Sequence, residues 1–256
     1  MRFTGISDRG YSLTAVCGPE FDYHAAGILS EVPLRRDPVA AAAAIRAVQR
    51  ARAVSYIERG ILPKTALRNP SRLSGGRDES CVHLIIHRHN CLLGTIRNQF
   101  HWKHPSPADA VPLYQEIIQR NQIPDSACQA VLRQLEETHQ ESASLIETSG
   151  WLANSDFPRS PVVSMAVISA SWALGAMVPP MPGISALRTS NGAARTLQRL
   201  GSIPVRHEGA DLIIEDSFYR GSVRLMVNHS RRYSMEIDSF VKECSLFLKR
   251  DGFITF

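Results

Sequence analysis

"SLIETSGWLANSDFPRSPVVSMAVISASWALGAMVPPMPGISALRTS", residues 144–190, decides the fold of this chain. Its first ten residues, to Ala153, read as a strand, and the Pro, Asp and Ser of 154–161 break it. The run 162–178 is too long and too evenly apolar for a strand and reads as a buried helix closed by Pro179-Pro180. A second strand follows at "GISALRTS", 183–190. Strand, helix and strand in succession build a parallel pair, because parallel neighbours need a crossover. One carboxylate, Glu147, sits inside the first of these strands. A buried acid is costly unless it is paired, protonated or used.

Away from this unit the patterns are antiparallel. "CVHLIIHRHNCLLGTIRNQFH" (81–101) reads as strands 81–88 and 91–100 joined at His89-Asn90. Residues 203–232 read as two or three antiparallel strands. Asp37 followed by Pro38 is a cap and first-turn pair, and Ile45, Val48, Val54 and Ile57 continue a helix to Gly60. Residues 106–140 read as helical, with Asp109 near one start and Pro124-Asp125 opening a second helix. "NGAARTLQRLGS" reads as a short helix closed by Gly201, and "MEIDSFVKECSLFLKR" as an amphipathic one. Residues 1–36 read as an extended or irregular arm, and 37–256 as one domain with a helical insertion at about 104–141.

At 256 residues, 44% hydrophobic and 21% charged, the chain can bury one large core. No apolar run is long enough to span a bilayer, since 162–178 carries three serines and Trp172, and "MRFTGISDRG" has no apolar signal core. A cytoplasmic protein is the expectation. Five scattered cysteines, none spaced C-x-x-C, exclude a zinc ribbon and point to reduced thiols. The net charge is +5, and four of the 29 basic residues are lysines, leaving 25 arginines. Arginine favours phosphate and carboxylate partners. These arginines are dispersed rather than blocked, which argues against nucleic acid and suits an acidic protein partner or a nucleotide-like co-substrate.

The element order resembles the GNAT acyltransferase superfamily: α/β, with a mixed, mostly antiparallel central sheet flanked by helices, here with an extra helical insertion after the third strand. Two local patches sharpen the resemblance. "TSNGAARTLQRLG" is similar to the superfamily's Asn-x-x-Ala-x-x-Leu-Tyr-x-x-x-Gly pattern at Asn191, Ala194, Leu197 and Gly201, with Gln198 in the tyrosine place. "GTIR" and "ETSG" resemble the Gly-Thr-x-Arg and Glu-x-x-Arg patterns of the acyl-homoserine-lactone synthase and N-acyl amino acid synthase group, with Gly150 in the second arginine's place. The likeness covers about residues 40 to 235.

That resemblance implies an N-acyltransferase taking its acyl group from acyl carrier protein or coenzyme A, with no permanently bound cofactor and a small amine as acceptor. It implies Glu147 as the group that orients or deprotonates the amine, with Arg97 and Asp78 fixing acceptor or strand geometry. Trp151 and Ala153 would hold the pantetheine, with Arg159 and Ser160 near its phosphate and Asn191 also binding the acyl donor. Arg52, Tyr56, His83 and Ser149 would line the acceptor pocket. Other readings stay open. Glu147 could be a structural acid paired to Arg97, Trp151 and Trp172 could be core, and the chain could be an altered module that binds an acyl ligand or a protein partner. His83, His87 and His89 fall on one strand face, but no carboxylate or cysteine of suitable spacing accompanies them, and no metal is expected.

Overall fold

The computed structural model describes residues 10–22, 32–70, 77–89, 91–102, 117, 120–121, 123–138, 144–153, 161–229 and 232–256. The chain divides into two compact units: Met1–Gln99 with Ser149–Val178 and Ile237–Phe256, and Phe100–Thr148 with Pro179–Glu236.

In the first unit, β1 (Ser12–Cys17) lies between two partners. It pairs antiparallel with β3 (Cys81–Arg88) and parallel with β12 (Phe253–Thr255), which in turn pairs parallel with β2 (Leu34–Arg36). β3 forms an antiparallel hairpin with β4 (Cys91–His101), its register shifting between Ile86 and His87. The order is β2-β12-β1-β3-β4, followed by the latter half of β5 (Leu145–Ala153). Residues 12–17, read from sequence as part of an extended or irregular arm, are thus a strand bonded on both edges. Their near-continuous apolar character, with Ala15, Val16 and Cys17 all buried, suits a strand covered on both faces.

Helices supply both covers. α1 (Pro38–Glu58) starts where Asp37 Oδ1 accepts the Ala40 N–H at 2.9 Å, with Pro38 in the first turn. Its buried residues Ala41, Ile45, Val48 and Arg52 recur every three or four positions, and the first three pack on Val16 and Ile85. On the opposite sheet face, α3 (Pro161–Ala176) is buried on nearly all sides and packs against β3 and α5 (Asp238–Asp251). Cys244 of α5 lies 3.9 Å from the Ala166 carbonyl, and burial pushes its thiol pKa far up. Gly94 lets α3 close on β4. A Cβ there would stand 2.8 Å from Val167 Cγ2 and 2.9 Å from both Val163 Cγ1 and the Leu152 carbonyl.

The second unit centres on β11 (Gly221–His229). It pairs antiparallel with β6 (Pro182–Arg188), with β10 (Ile213–Asp216) and with the two-residue β7 (Ile203–Pro204). The start of β5 joins β6 in parallel at Ile146 and Glu147, as the strand–helix–strand pattern requires. Leu145, Ile184, Val205, Ile214, Val223, Leu225 and Val227 form its core with Val131 and Leu135 of α2 (Asp125–Thr138). α4 (Ala193–Arg199) and the small β8–β9 hairpin (Arg206–His207 with Ala210–Asp211) complete it. Of the expected 106–140 helical stretch, Asp125–Thr138 is a helix, opened as the Pro124-Asp125 pair predicts. The fold is therefore α/β, with mixed, mostly antiparallel strands flanked by helices.

Candidate active site

Three buried polar residues of the first unit, Arg52, His83 and Arg97, converge on one carboxylate, that of Asp78, with half-buried Gln49 beside them. Arg52 reaches the sheet because it is the next turn of the α1 stripe that already buries Val48. His83 and Arg97 share a face because the hairpin register sets them directly opposite each other. Asp78 stands in the 3-10 turn Arg77–Ser80 just before β3, and Gly18 lets that turn close on the end of β1. A Cβ at Gly18 would fall 2.2 Å from the Glu79 carbonyl.

Asp78 is 1% exposed. Its Oδ1 accepts from Arg52 Nη2 at 2.7 Å and from Arg97 Nη1 at 3.0 Å, and its Oδ2 accepts from Gln49 Nε2 at 3.0 Å. His83 Nε2 lies 3.1 Å from the Asp78 carbonyl oxygen, which can only accept, so that nitrogen carries the hydrogen. Burial alone would raise the Asp78 pKa. The Arg52, His83 and Arg97 charges and the Arg52 hydrogen bond outweigh it and hold the carboxyl well below the usual range. His83 moves for related reasons: burial first, then the Arg52 charge, push it down to about 4 against the opposing pull of Asp78. At neutral pH the site is a carboxylate between two guanidinium groups, with a neutral imidazole alongside.

Arg97 extends this cluster to β5. Its Nε and Nη2 both donate to Ser149 Oγ, at 3.0 and 2.9 Å. The next residue, Gly150, has φ +62, a left-handed value inside a strand and the mark of a local break in the ladder. The space its missing side chain leaves is bounded by Arg52 Cδ, 3.4 Å from a built Cβ, and by Arg97 Cβ at 3.6 Å.

In the second unit, Glu147 is fully buried, and His101 Nε2 stands 3.6 Å from its Oε2. On β4 and just beyond it, Phe100 and Trp102 stack with centroids 5.3 Å apart and planes 2° from parallel. Alternation along an extended chain turns His101 away from that pair.

Sequence reasoning therefore named Asp78, Arg52, His83, Arg97 and Ser149, and the structure brings these five together. It placed Glu147 beside Arg97 as a possible ion pair. Arg97 bonds Asp78 and Ser149, and His101 stands beside Glu147. Gln49 and His101 went unnoticed. Gln49 lies three residues before Arg52, close to the buried stripe, a signal that helical spacing carries. His101, at the end of an apolar strand, resembles any strand histidine.

Tyr56 is half-buried one turn beyond Arg52, and its carbonyl accepts from Ile61 and Leu62. Trp151 and Ala153 are half-buried on β5, whereas Trp172 is core within α3. Asn191 falls in the 3-10 turn Thr189–Asn191 ahead of α4, and Arg159 and Ser160 lie outside the described residues. Of the three histidines on one β3 face, His83 bonds the Asp78 backbone, His87 lies 2.7 Å from Thr14 Oγ1, and His89 is in the turn at φ +46. Among the described residues no group of three His, Cys, Asp or Glu is placed to hold a metal, and no helix is long and apolar enough to cross a membrane.

No family model matches the chain, and no curated protein matches it in sequence. Solved structures match it in fold. A CoA-dependent acyl-homoserine lactone synthase, BjaI, with MTA, is 12% identical at a TM-score of 0.50, covering 96% of this chain and 94% of that one. The same synthase with SAM and isopentyl-CoA is 13% identical at a TM-score of 0.48, with the same coverage. FeeM, an N-acyl amino acid synthase from uncultured soil microbes, is 12% identical at 0.45 and covers 72% of this chain and 83% of its own. At such identities the likeness is one of fold, and the fold is GNAT-like, as the element order and motifs implied.

Proposed function

We propose that this chain is an N-acyltransferase, moving an acyl group from an acyl-carrier-protein or coenzyme A thioester to a small amine such as an amino acid. Glu147 carries the reading: a fully buried carboxylate on the strand where a GNAT-like fold receives its thioester. In the reaction the amine nitrogen attacks the thioester carbonyl carbon and the C–S bond breaks. The proton leaving the nitrogen passes to Glu147 and then to the departing thiolate, so that an amide and a free thiol result. Asp78 and Arg97 hold the strand and hairpin geometry. Trp151 and Ala153 line the pantetheine, Arg159 and Ser160 serve its phosphate end, and Asn191 also binds the acyl donor. Arg52, Tyr56 and His83 line the acceptor side. The thioester is a co-substrate rather than a resident cofactor, and a carrier protein's acidic face would meet the arginine-rich surface of a cytoplasmic enzyme.

Two substitutions favour a second reading, a module that binds an acyl ligand or a protein partner without turnover. Gly150 stands where the resemblance expects arginine. Gln198 stands where it expects tyrosine and is exposed on α4.

Glu147→Gln separates these. With a panel of acyl thioesters and amino acids, the native protein should form amide, and the variant should lose roughly 10²–10⁴-fold in kcat. The product should be followed by mass, because Cys91 is an exposed thiol that would react with thiol reagents. Undiminished turnover by the variant removes Glu147 as the base. A native protein that is stabilised by thioesters yet forms no amide supports the binding module, and one that does neither sinks both readings.

A further inference from the structure

Ser149 carries a hydrogen-bonding pattern that leaves it one chemical role. A hydroxyl has two acceptor lone pairs and one donor hydrogen. Both lone pairs of Ser149 Oγ are taken by Arg97, through Nε at 3.0 Å and Nη2 at 2.9 Å. That is the edge with which arginine usually grips the two oxygens of a carboxylate, here closed on a single oxygen. Arg97 is not free to swing away, because its Nη1 is bound to the buried Asp78, which Arg52 and Gln49 also hold. Ser149 Oγ can therefore neither take up a proton nor attack a carbonyl in this arrangement, which removes the nucleophile and base roles. Its O–H remains, and among the described residues nothing accepts it. A guanidinium bonded to the oxygen strengthens that donor. The residue is half-buried, and the position after it is a glycine with no side chain to cover it.

We infer that Ser149 is a catalytic hydrogen-bond donor to the thioester carbonyl oxygen, polarised by Arg97 and aimed by the Asp78 cluster, in the acyl transfer proposed above. Amine attack moves a pair of electrons onto that carbonyl oxygen, and a fixed donor backed by a positive charge favours the charged form over the neutral one. No proton changes owner at Ser149. The O–H shortens its bond to the oxyanion and relaxes when the C–S bond breaks. Arg97 then acts through Ser149, as a positioning residue, and the inference rests on the acyltransferase reading.

The test compares the native protein with Ser149→Ala and Ser149→Thr, using octanoyl-CoA and an amino acid acceptor. Two quantities are read: the split between kcat and KM, and the carbonyl stretch of bound octanoyl-CoA by isotope-edited infrared difference spectra. The Ala variant should lose about 100-fold in kcat with little change in KM for either substrate, the size expected for one oxyanion donor. Its bound carbonyl should shift to higher frequency, and Thr, which keeps the hydroxyl, should restore both. If Ala retains native kcat and carbonyl frequency in an active protein, the donor role is overturned while acyl transfer stands. If Ala raises only the KM for the amino acid, Ser149 belongs to the acceptor and the inference also fails. If the native protein turns over no thioester and the carbonyl is indifferent to Ser149, both readings fall.

Discussion

Asp78 shows how much one side chain can hold. It is the shared acceptor of Arg52, Arg97 and Gln49, buried to 1% exposure. Asp78→Asn would leave two buried guanidinium groups facing a neutral amide, and breaking a buried ion pair from one side costs about 3–5 kcal/mol. A fall of that size in unfolding free energy by urea titration is the expected result. His83 adds a pH dependence whose sign follows from its displacement. Its pKa is about 4 in the folded protein against an ordinary 6.5, so between those values the unfolded chain binds more protons than the folded one. Stability is complete above pH 6.5 and drains away as pH falls to 4, with His87 displaced in the same direction by burial. Asp78 adds a further loss that begins only below its ordinary value of 3.8, where the unfolded chain takes up the proton while the folded carboxyl, held well below the usual range, stays ionised. Urea midpoints measured from pH 7 to pH 4.5 should fall steadily in the native protein and much less in His83→Gln. Equal slopes would remove His83 as the cause.

Elements built from local signals were legible in the sequence, and those built from distant pairing were not. Asp37-Pro38 announces α1 because capping is written in adjacent residues. The hairpin of β3 and β4 shows in two apolar runs flanking a two-residue turn. β1 and β12 share only parallel bonds between opposite ends of the chain, with Ala15 beside Phe253 and Val16 beside Ile254, and nothing local marks them. The same contrast divides the candidate site. Glu147 was conspicuous as a lone acid in an apolar strand, and Arg97 through its motif. Gln49 and His101 acquire meaning only once a helix or strand is aimed at a partner. Gly94 was read as a motif position, and the structure supplies its packing reason. Gly94→Ala would drive a methyl group to 2.9 Å from the Leu152 carbonyl and 2.8 Å from Val167. Neither the strand nor the buried helix has room to yield cheaply, and overpacking of this kind costs about 1–3 kcal/mol. Denaturant titration should show that loss. Val167→Ala in the same background should recover part of it, because relieving one of the clashes makes the two changes non-additive.

The first unit is assembled from three separate stretches of chain, and the last of them closes it. β12 fills the gap between β1 and β2, bonding both in parallel. Phe253 is completely buried, and the Thr255 carbonyl accepts the Asp37 N–H at 2.9 Å, at the residue that caps α1. Gly252 permits the approach, since a Cβ there would lie 2.0 Å from the Pro33 carbonyl and its φ is +69. Ending the chain after Gly252 would strip one edge of β1, leave β2 without its partner and uncap the environment of α1, which carries Arg52 into the Asp78 cluster. Most pairings of the second unit's sheet, between β6, β7, β10 and β11, involve none of these residues. Hydrogen exchange on a chain truncated after Gly252 should therefore show protection lost over 12–17 and 81–88 and retained over 182–188 and 221–229. Uniform loss in both sets would mean that the two units unfold as one cooperative body, and retention in both would mean that β12 decorates the sheet rather than completing it.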